Sequence, residues 1–386
     1  MPEPPVGGDR GSRQITPKER AYHTVFVAWR DLKFARGRFA LMGAVIVLIT
    51  LLVGLLSGLT AGLGQQNISA ITGLPADRIA FNAPSAGQDL SYANSTVTAQ
   101  QWQHWTRTPG VTSAEPLGIS ITRATTGGTT VAVSVFGVQP RSTLAPAADR
   151  IDDRSVVLST TAAADLGLDA GDSVTLAGRS LTVAAVHGDA SFSHTPVVWT
   201  SLTTWRQTTP PTSDPDRATA TVIVLTTTSG ADIAAGDQTA GTRTVTRDDS
   251  LSAIGSYTSE NGSLQLMRGF LFAISALVIG AFFTVWTMQR SGDVAVLKAL
   301  GASTAGLLRD ALGQAAVLLT AGTLTGTALA AAAGALVAGT TVPFLLSPAT
   351  MLVPASIMIG LGVLGAALSI RRITSVDPLT ALGSAR

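Results

Sequence analysis

"ALMGAVIVLITLLVGLLSGLTAGLG", Ala40–Gly64, is a run of 25 residues without a single charge. A bilayer-spanning helix needs ~20 such residues. A cleavable secretory signal is the competing reading, because a basic segment precedes the run. Such a signal has an apolar stretch of only ~7–15 residues and sits close to the N-terminus. This stretch is longer and follows 39 residues of preceding chain, so it predicts a retained span over 40–64. With it, everything downstream is read as part of a membrane protein rather than a secreted domain.

Three more stretches have the same character: Gly269–Gln289, Ala311–Val342 and Thr350–Ile370. The bulk composition agrees. The chain has 386 residues, 46% of them hydrophobic and 13% charged, against a usual charged share of ~25%. The abundance of Gly, Ala and Thr suits helices that pack closely in lipid. There is no cysteine, which excludes disulfides and thiol catalysis. A net charge of +2 gives no case for nucleic acid.

Lysine and arginine near span ends set orientation. Arg10, Arg13, Lys18, Arg20, Arg30, Lys33, Arg36 and Arg38 precede the first span. Arg290, Lys298 and Arg309 lie between the second and third, and Arg371, Arg372 and Arg386 follow the fourth. The connection "GTTVPFLLSP" between spans three and four carries no charge. Both termini are therefore predicted inside and residues 65–268 outside, where there is no lysine and acids outnumber arginines.

The resulting organisation is an integral membrane α-helical protein of four spans with an inserted extracellular α+β domain. Residues 1–22 predict a disordered tail. Residues 23–39 predict a basic amphipathic helix on the inner membrane surface, although flanking positive charge alone accounts for the arginines equally well. Spans follow at 40–64, 269–289, 311–342 and 350–370, with a cytoplasmic loop at 290–310 and a tail at 371–386. Within the outer domain, "TTVAVSVFGV" alternates as a strand and "DSVTLAGRSLTVAAVHG" as two strands turning at "AGR". "STTAAADLGLDAGD" predicts a short helix ended by Gly167.

The chemistry-bearing motifs are few. No GxxxxGK[ST], HExxH or GxSxG occurs, and no catalytic constellation stands out. His187 and His194 flank "GDASFS" but lack a third ligand, so no metal site is predicted. The spans contain no ionisable residue in their cores, which argues against an ion or proton relay; energy for any transport must then come from a partner. Gly54, Gly58 and Gly62 recur every fourth residue of the first span and predict a helix–helix packing seam.

The inner loop holds "SGDVAVLKALGAS", Ser291–Ser303. Val294, Val296, Leu297 and Leu300 can form an apolar patch, with Asp293 and Lys298 at its rim and Gly301 as the helix stop. Such a helix suits docking into a groove of a cytoplasmic subunit, or serves only as an interfacial linker.

This stretch resembles the coupling helix of FtsX/MacB-type ABC transporter permeases. "RSVVLSTTAAADLGLDAGDSVTLAGRSLTVAAV" is similar to the extracellular module of that family and "VDPLTALGSAR" to its C-terminal tail. "VAWRDLKFARGRFALMG", "GLTAGLGQQNISAITGLPADRIAF" and "SFSHTPVVWTSL" resemble the HrtB-type heme-efflux branch. The resemblance implies a type VII ABC permease, a homodimer working with two copies of a separate ATPase that binds ATP and Mg, in the plasma membrane of a Gram-positive or actinobacterial cell. The permease itself would be no enzyme and would hold no intrinsic cofactor. Heme is the implied cargo, entering from the outer leaflet. "GSYTSENGSLQLMRGF" then offers Tyr257, Glu260 and Met267 as heme contacts and Arg268 as a propionate partner. Rival readings are an exporter of lipid, peptide or drug, an FtsX-like subunit that transmits a signal without transport, and a membrane-anchored outer enzyme.

Overall fold

The computed structural model describes residues 36–209, 218–338, 340 and 342–374. Most of the surface helix expected over 23–39, and the tail beyond 374, lie outside the described residues. The chain divides into a helical unit (Met1–Gly58, Arg268–Ala338 and Leu346–Arg386) and a sheet unit (Leu59–Met267 and Gly339–Leu345).

Nine α-helices are described: α1 (Arg36–Thr72), α2 (Ala99–Arg107), α3 (Thr160–Leu166), α4 (Leu202–Thr208), α5 (Ile233–Ala240), α6 (Gly255–Gln289), α7 (Ser291–Ala299), α8 (Thr304–Val337) and α9 (Pro348–Thr374). Four of them, over Ala40–Thr72, Gly255–Gln289, Thr304–Val337 and Pro348–Ser369, are long and apolar enough to cross a membrane. Two run well beyond the apolar stretches that mark them. α1 continues eight residues past Gly64, and α6 starts 14 residues before Gly269. The added turns are rich in Ser, Asn, Gln and Glu. A helix needs only local hydrogen bonds to continue into water, so its end need not coincide with the end of its apolar run.

Within the helical unit the spans meet through small residues. A methyl group placed at Gly54 would come 2.7 Å from Ala330 Cβ. One at Gly326 would come 2.6 Å from the Val47 carbonyl oxygen, and one at Gly322 2.8 Å from Ile46 Cγ2. α1 and α8 thus approach almost backbone to backbone, the contact that lipid-embedded helices favour. Ile46, Val53, Ile279, Phe283, Trp286, Leu319 and Met358 fill the centre. Hydroxyls bond back to the preceding turn, as Ser275 Oγ does to the Leu271 oxygen at 2.6 Å. Thr284 and Ser369 hydroxyls meet between α6 and α9 at 2.9 Å.

The sheet unit is built on β1 (Arg78–Asn82), β2 (Val97–Thr98), β3 (Val111–Thr126), β4 (Thr129–Val138), β5 (Ser155–Leu158), β6 (Ser173–Leu176), β7 (Arg179–Val186), β8 (Ser191–Phe192), β9 (Thr195–Ser201), β10 (Ala218–Ala220), β11 (Val222–Thr227) and β12 (Thr242–Thr246). The main sheet runs β12-β1-β11-β3-β4-β9-β5-β7-β6, and β6 pairs again with β3. Six strands therefore close into a ring. Only β4–β9 and β5–β7 are parallel. Alternation places Val133 and Val135 in one core with Leu158, Val183, Trp105 and Trp205. Phe136 and Val138 enter the other with Phe81, Tyr92, Phe192 and Trp199. Helix starts carry capping side chains: Ser159 and Ser201 accept from the third backbone amide onward, and Thr98 and Gln101 form a reciprocal box. α3 stops at Gly167, whose φ is 64°.

One close approach fixes the middle of β3 and β4. Gly118 and Gly137 face each other across the pair. The Trp205 ring lies on both, so that a Cβ at Gly118 would come 2.3 Å from Trp205 Cδ2 and one at Gly137 2.4 Å from Trp205 Cβ. Only glycine leaves room for an indole there.

Candidate functional site

Between α6 and α8 in the helical unit lies α7, nine residues long. At ~1.5 Å per residue it is too short to span a bilayer. Arg290 is its N-cap, and the Arg290 carbonyl accepts from Val294 N at 3.0 Å. Its other end is a complete Schellman closure. Gly301 N donates to the Lys298 carbonyl at 3.0 Å and Ala302 N to the Leu297 carbonyl at 3.0 Å. This needs a left-handed residue, and Gly301 has φ 94°. Ser303 then caps α8, its Oγ accepting from Gly306 N at 3.2 Å. Two helices are thus joined by a turn with little slack.

Large apolar side chains stand out from this short helix: Val296 is 60%, Leu297 45% and Leu300 79% exposed. Val294 and Lys298 are half-buried. The side chain of Asp293 lies outside the described residues, although its backbone belongs to α7. Of the glycines expected to form a seam, all three are buried. Gly54 faces Ala330, whereas Gly62, in the sheet unit, faces the backbone of Pro343 and Phe344.

A second constellation belongs to the sheet unit. β8 and β9 are joined by a two-residue turn, Ser193-His194, with φ 50° and 63°. Hairpins of this kind normally carry Asn-Gly, and two non-glycine residues there are strained. Five contacts hold the turn. Ser193 N donates to the Asn67 carbonyl at 3.0 Å and His194 N to the Gln66 carbonyl at 3.1 Å. The Ser193 and Ser256 hydroxyls meet at 2.9 Å, and Ser256 donates to Asn67 Oδ1 at 2.6 Å. His194 Nε2 sits 2.8 Å from Glu260 Oε2 and 3.1 Å from Asn67 Nδ2. One ring nitrogen cannot serve both neighbours at once: with its proton it donates to the carboxylate, without it it accepts from the amide.

The four residues expected near the second span lie on α6, and the structure treats them differently. Tyr257 packs against the core that holds Tyr92 and Phe192. Glu260 is engaged by His194. Met267 is 49% exposed. Arg268 Nε is buried without a hydrogen-bond partner among the described residues. By helical phase the four share about 100° of arc on α6. Sequence reasoning weighed His194 only as a metal ligand and passed over Asn67. The available signal was a tight hairpin, "SFSHTP", lacking the glycine its turn should have. Among the described residues no group of three or more His, Cys, Asp or Glu could hold a metal ion.

Comparison with known proteins follows this layout. The model of the MacB-like periplasmic core domain matches residues 39–243, and that of the FtsX-like permease C-terminal region matches 266–378. The chain belongs to the MacB/FtsX family of ABC transporter permeases. A Staphylococcus epidermidis protein named as a hemin transport system permease, HrtB, is 24% identical over 366 residues, covering 92% of this chain and 99% of its own. An uncharacterized ABC transporter permease of Mycobacterium bovis is 24% identical over 380 residues, covering 93% and 99%. The periplasmic region of MacB from Actinobacillus actinomycetemcomitans superimposes with a TM-score of 0.34 at 12% identity, over 47% of this chain and 94% of that one. As a permease of this family with four apolar helices, the chain is a membrane protein.

Proposed function

We propose that this permease is the membrane subunit of an ATP-driven efflux pump whose cargo is heme. It works as a homodimer with two copies of a separate cytoplasmic ATPase, which binds ATP and Mg. Both termini and α7 lie on the inner side, and the sheet unit lies outside. The observation that carries the reading is the exposed apolar edge of α7, Val296, Leu297 and Leu300, on a short helix closed at its C-terminal end by a Schellman turn. Exposed apolar groups on a rigid, short helix fit a groove in a partner. With no nucleotide loop in the sequence, the driving hydrolysis belongs to that partner.

Heme as cargo is supported by the name of the staphylococcal relative and by the chemistry of the outer part of α6. Tyr257 and Met267 are side chains of kinds that ligate heme iron, Glu260 adds a carboxylate oxygen donor beside them, and Arg268 is suited to a propionate. Glu260 and Met267 are seven residues apart, about 10 Å of helix, close to the width of a porphyrin. Titrating hemin into the purified permease in nanodiscs tests this through the Soret band. Saturable binding weakened by Glu260→Gln and Met267→Ala is expected. An unshifted band at micromolar hemin removes heme and leaves lipid, peptide or drug. Full partner stimulation without export of any of these would instead identify a signal-transmitting subunit.

A further inference from the structure

The inner ends of α6 and α8 carry a hydrogen-bonded chain that packing does not require. Gln314 is 4% exposed in the helical unit. A buried amide needs partners for both its ends, and it has them. Gln314 Oε1 accepts from Arg290 Nη1 at 2.7 Å, and Gln314 Nε2 donates to Asp310 Oδ2 at 3.0 Å. Arg290 is anchored again on its other side, its guanidinium carbon 5.1 Å from the centre of the Trp286 ring. Trp286, 6% exposed, sits edge-on to Phe283 at 6.0 Å. One neutral amide therefore bridges a cation and an anion, each polarising the end it touches.

Arg290 is also the N-cap of α7. The junction between α6 and α7 is where a push on α7 would be absorbed by bending, and the guanidinium is tied there both to α6, through Trp286, and to α8, through Gln314. We infer that Gln314 is a positioning residue: it locks the start of α7 to α8, so that movement imposed on α7 displaces the inner ends of α6 and α8 together. This rests on the reading that α7 docks a nucleotide-hydrolysing partner. Gln314 would not touch that partner or the cargo; it would act through Arg290.

The experiment exploits the absence of cysteine. A spin label at Ala299→Cys, exposed at the end of α7, reports the motion of that helix in nanodiscs with no partner present. A parallel assay measures co-purification of the cognate ATPase and its stimulation by the permease. Gln314→Leu, which keeps volume and removes both hydrogen bonds, is expected to narrow the label's spectrum. It should also cut stimulation roughly two- to thirtyfold, the range for residues that modulate coupling remotely, with co-purification unchanged. The double variant Gln314→Glu with Asp310→Asn restores an acceptor for Arg290 and a donor on position 310, and is expected to return both readouts to wild type. Should Gln314→Leu fail to fold, Gln314→Asn, too short to reach both partners, takes its place.

An unchanged spectrum with either single variant overturns the lock. A loosened α7 with full stimulation overturns its role in coupling, leaving a structural contact. If the double variant stays as poor as Gln314→Leu, the polar bridge is not what matters and the proposal fails. The docking reading has its own separate failure, in which changes to Leu297 and Leu300 leave partner binding intact.

Discussion

Replacing Leu297 and Leu300 together with Asp probes the proposed docking surface of α7 directly. The two side chains are 45% and 79% exposed in the free permease, so a partner that covers them removes the equivalent of about one and a quarter leucines from water. At ~1.5–3 kcal/mol for a fully buried leucine, that is ~2–4 kcal/mol of binding. The dissociation constant should therefore rise roughly 25- to 700-fold at ~1.4 kcal/mol per decade. Desolvating the new carboxylates adds to this. The permease itself should survive, since neither leucine is core and the loss in helix propensity is only ~0.5 kcal/mol per site. The assay is binding of purified ATPase to nanodisc-held permease by interferometry, with size-exclusion profiles checking that the variant stays monodisperse. A monodisperse variant with wild-type affinity and stimulation would refute the claim that these leucines are buried by the partner.

Gly301→Val should lower the melting point of the solubilised permease. φ 94° costs a β-branched residue on the order of 1–3 kcal/mol, whereas Gly292→Ala, in an α-helical residue with open space around it, should not. Tyr92→Phe removes the 2.9 Å donation to Ser250 Oγ and should cost about 1 kcal/mol in thermal unfolding. Tyr92→Ala also empties the space between Phe81 and Phe192 and should cost about 3–5 kcal/mol. Burial pushes the Tyr92 phenol well above its usual range. Its contribution is thus whole below about pH 10 and lost as pH rises toward the higher folded value, so Tyr92→Phe should weaken the alkaline loss of stability. Ser193→Asn with His194→Gly should relieve the strained turn, seen as slower hydrogen exchange at Phe192 and Thr195. It also frees the Glu260 carboxylate, a half-exposed pair worth no more than about 1 kcal/mol.

Much of the architecture was legible because its signals are local. Uncharged runs mark spans, and Gly167 and Gly301 stop helices wherever they occur. The strand Thr129–Val138 and the hairpin at Ala177-Gly178 follow from alternation and turn chemistry within a dozen residues. What escaped is set by distance along the chain. His194 meets Glu260 66 residues away, and Arg290 meets Gln314 24 residues away; no periodicity announces either. The early start of α6 escaped for another reason. Gly255–Met267 is polar enough to read as loop, and its helicity comes from continuation of a helix nucleated in the apolar part. That continuation brings Tyr257 and Glu260, three residues apart, to one side of α6, where Tyr257 packs against the core and Glu260 meets the hairpin.

The indole of Trp205 lying over Gly118 and Gly137 has a bearing on how this protein can change over generations. A side chain at either glycine collides with the ring, while losing the ring uncovers two bare stretches of backbone. Each single step is harmful, and only a combined change is neutral. The three positions are therefore inherited as a block, and an alignment of distant relatives should show them either kept together or exchanged together.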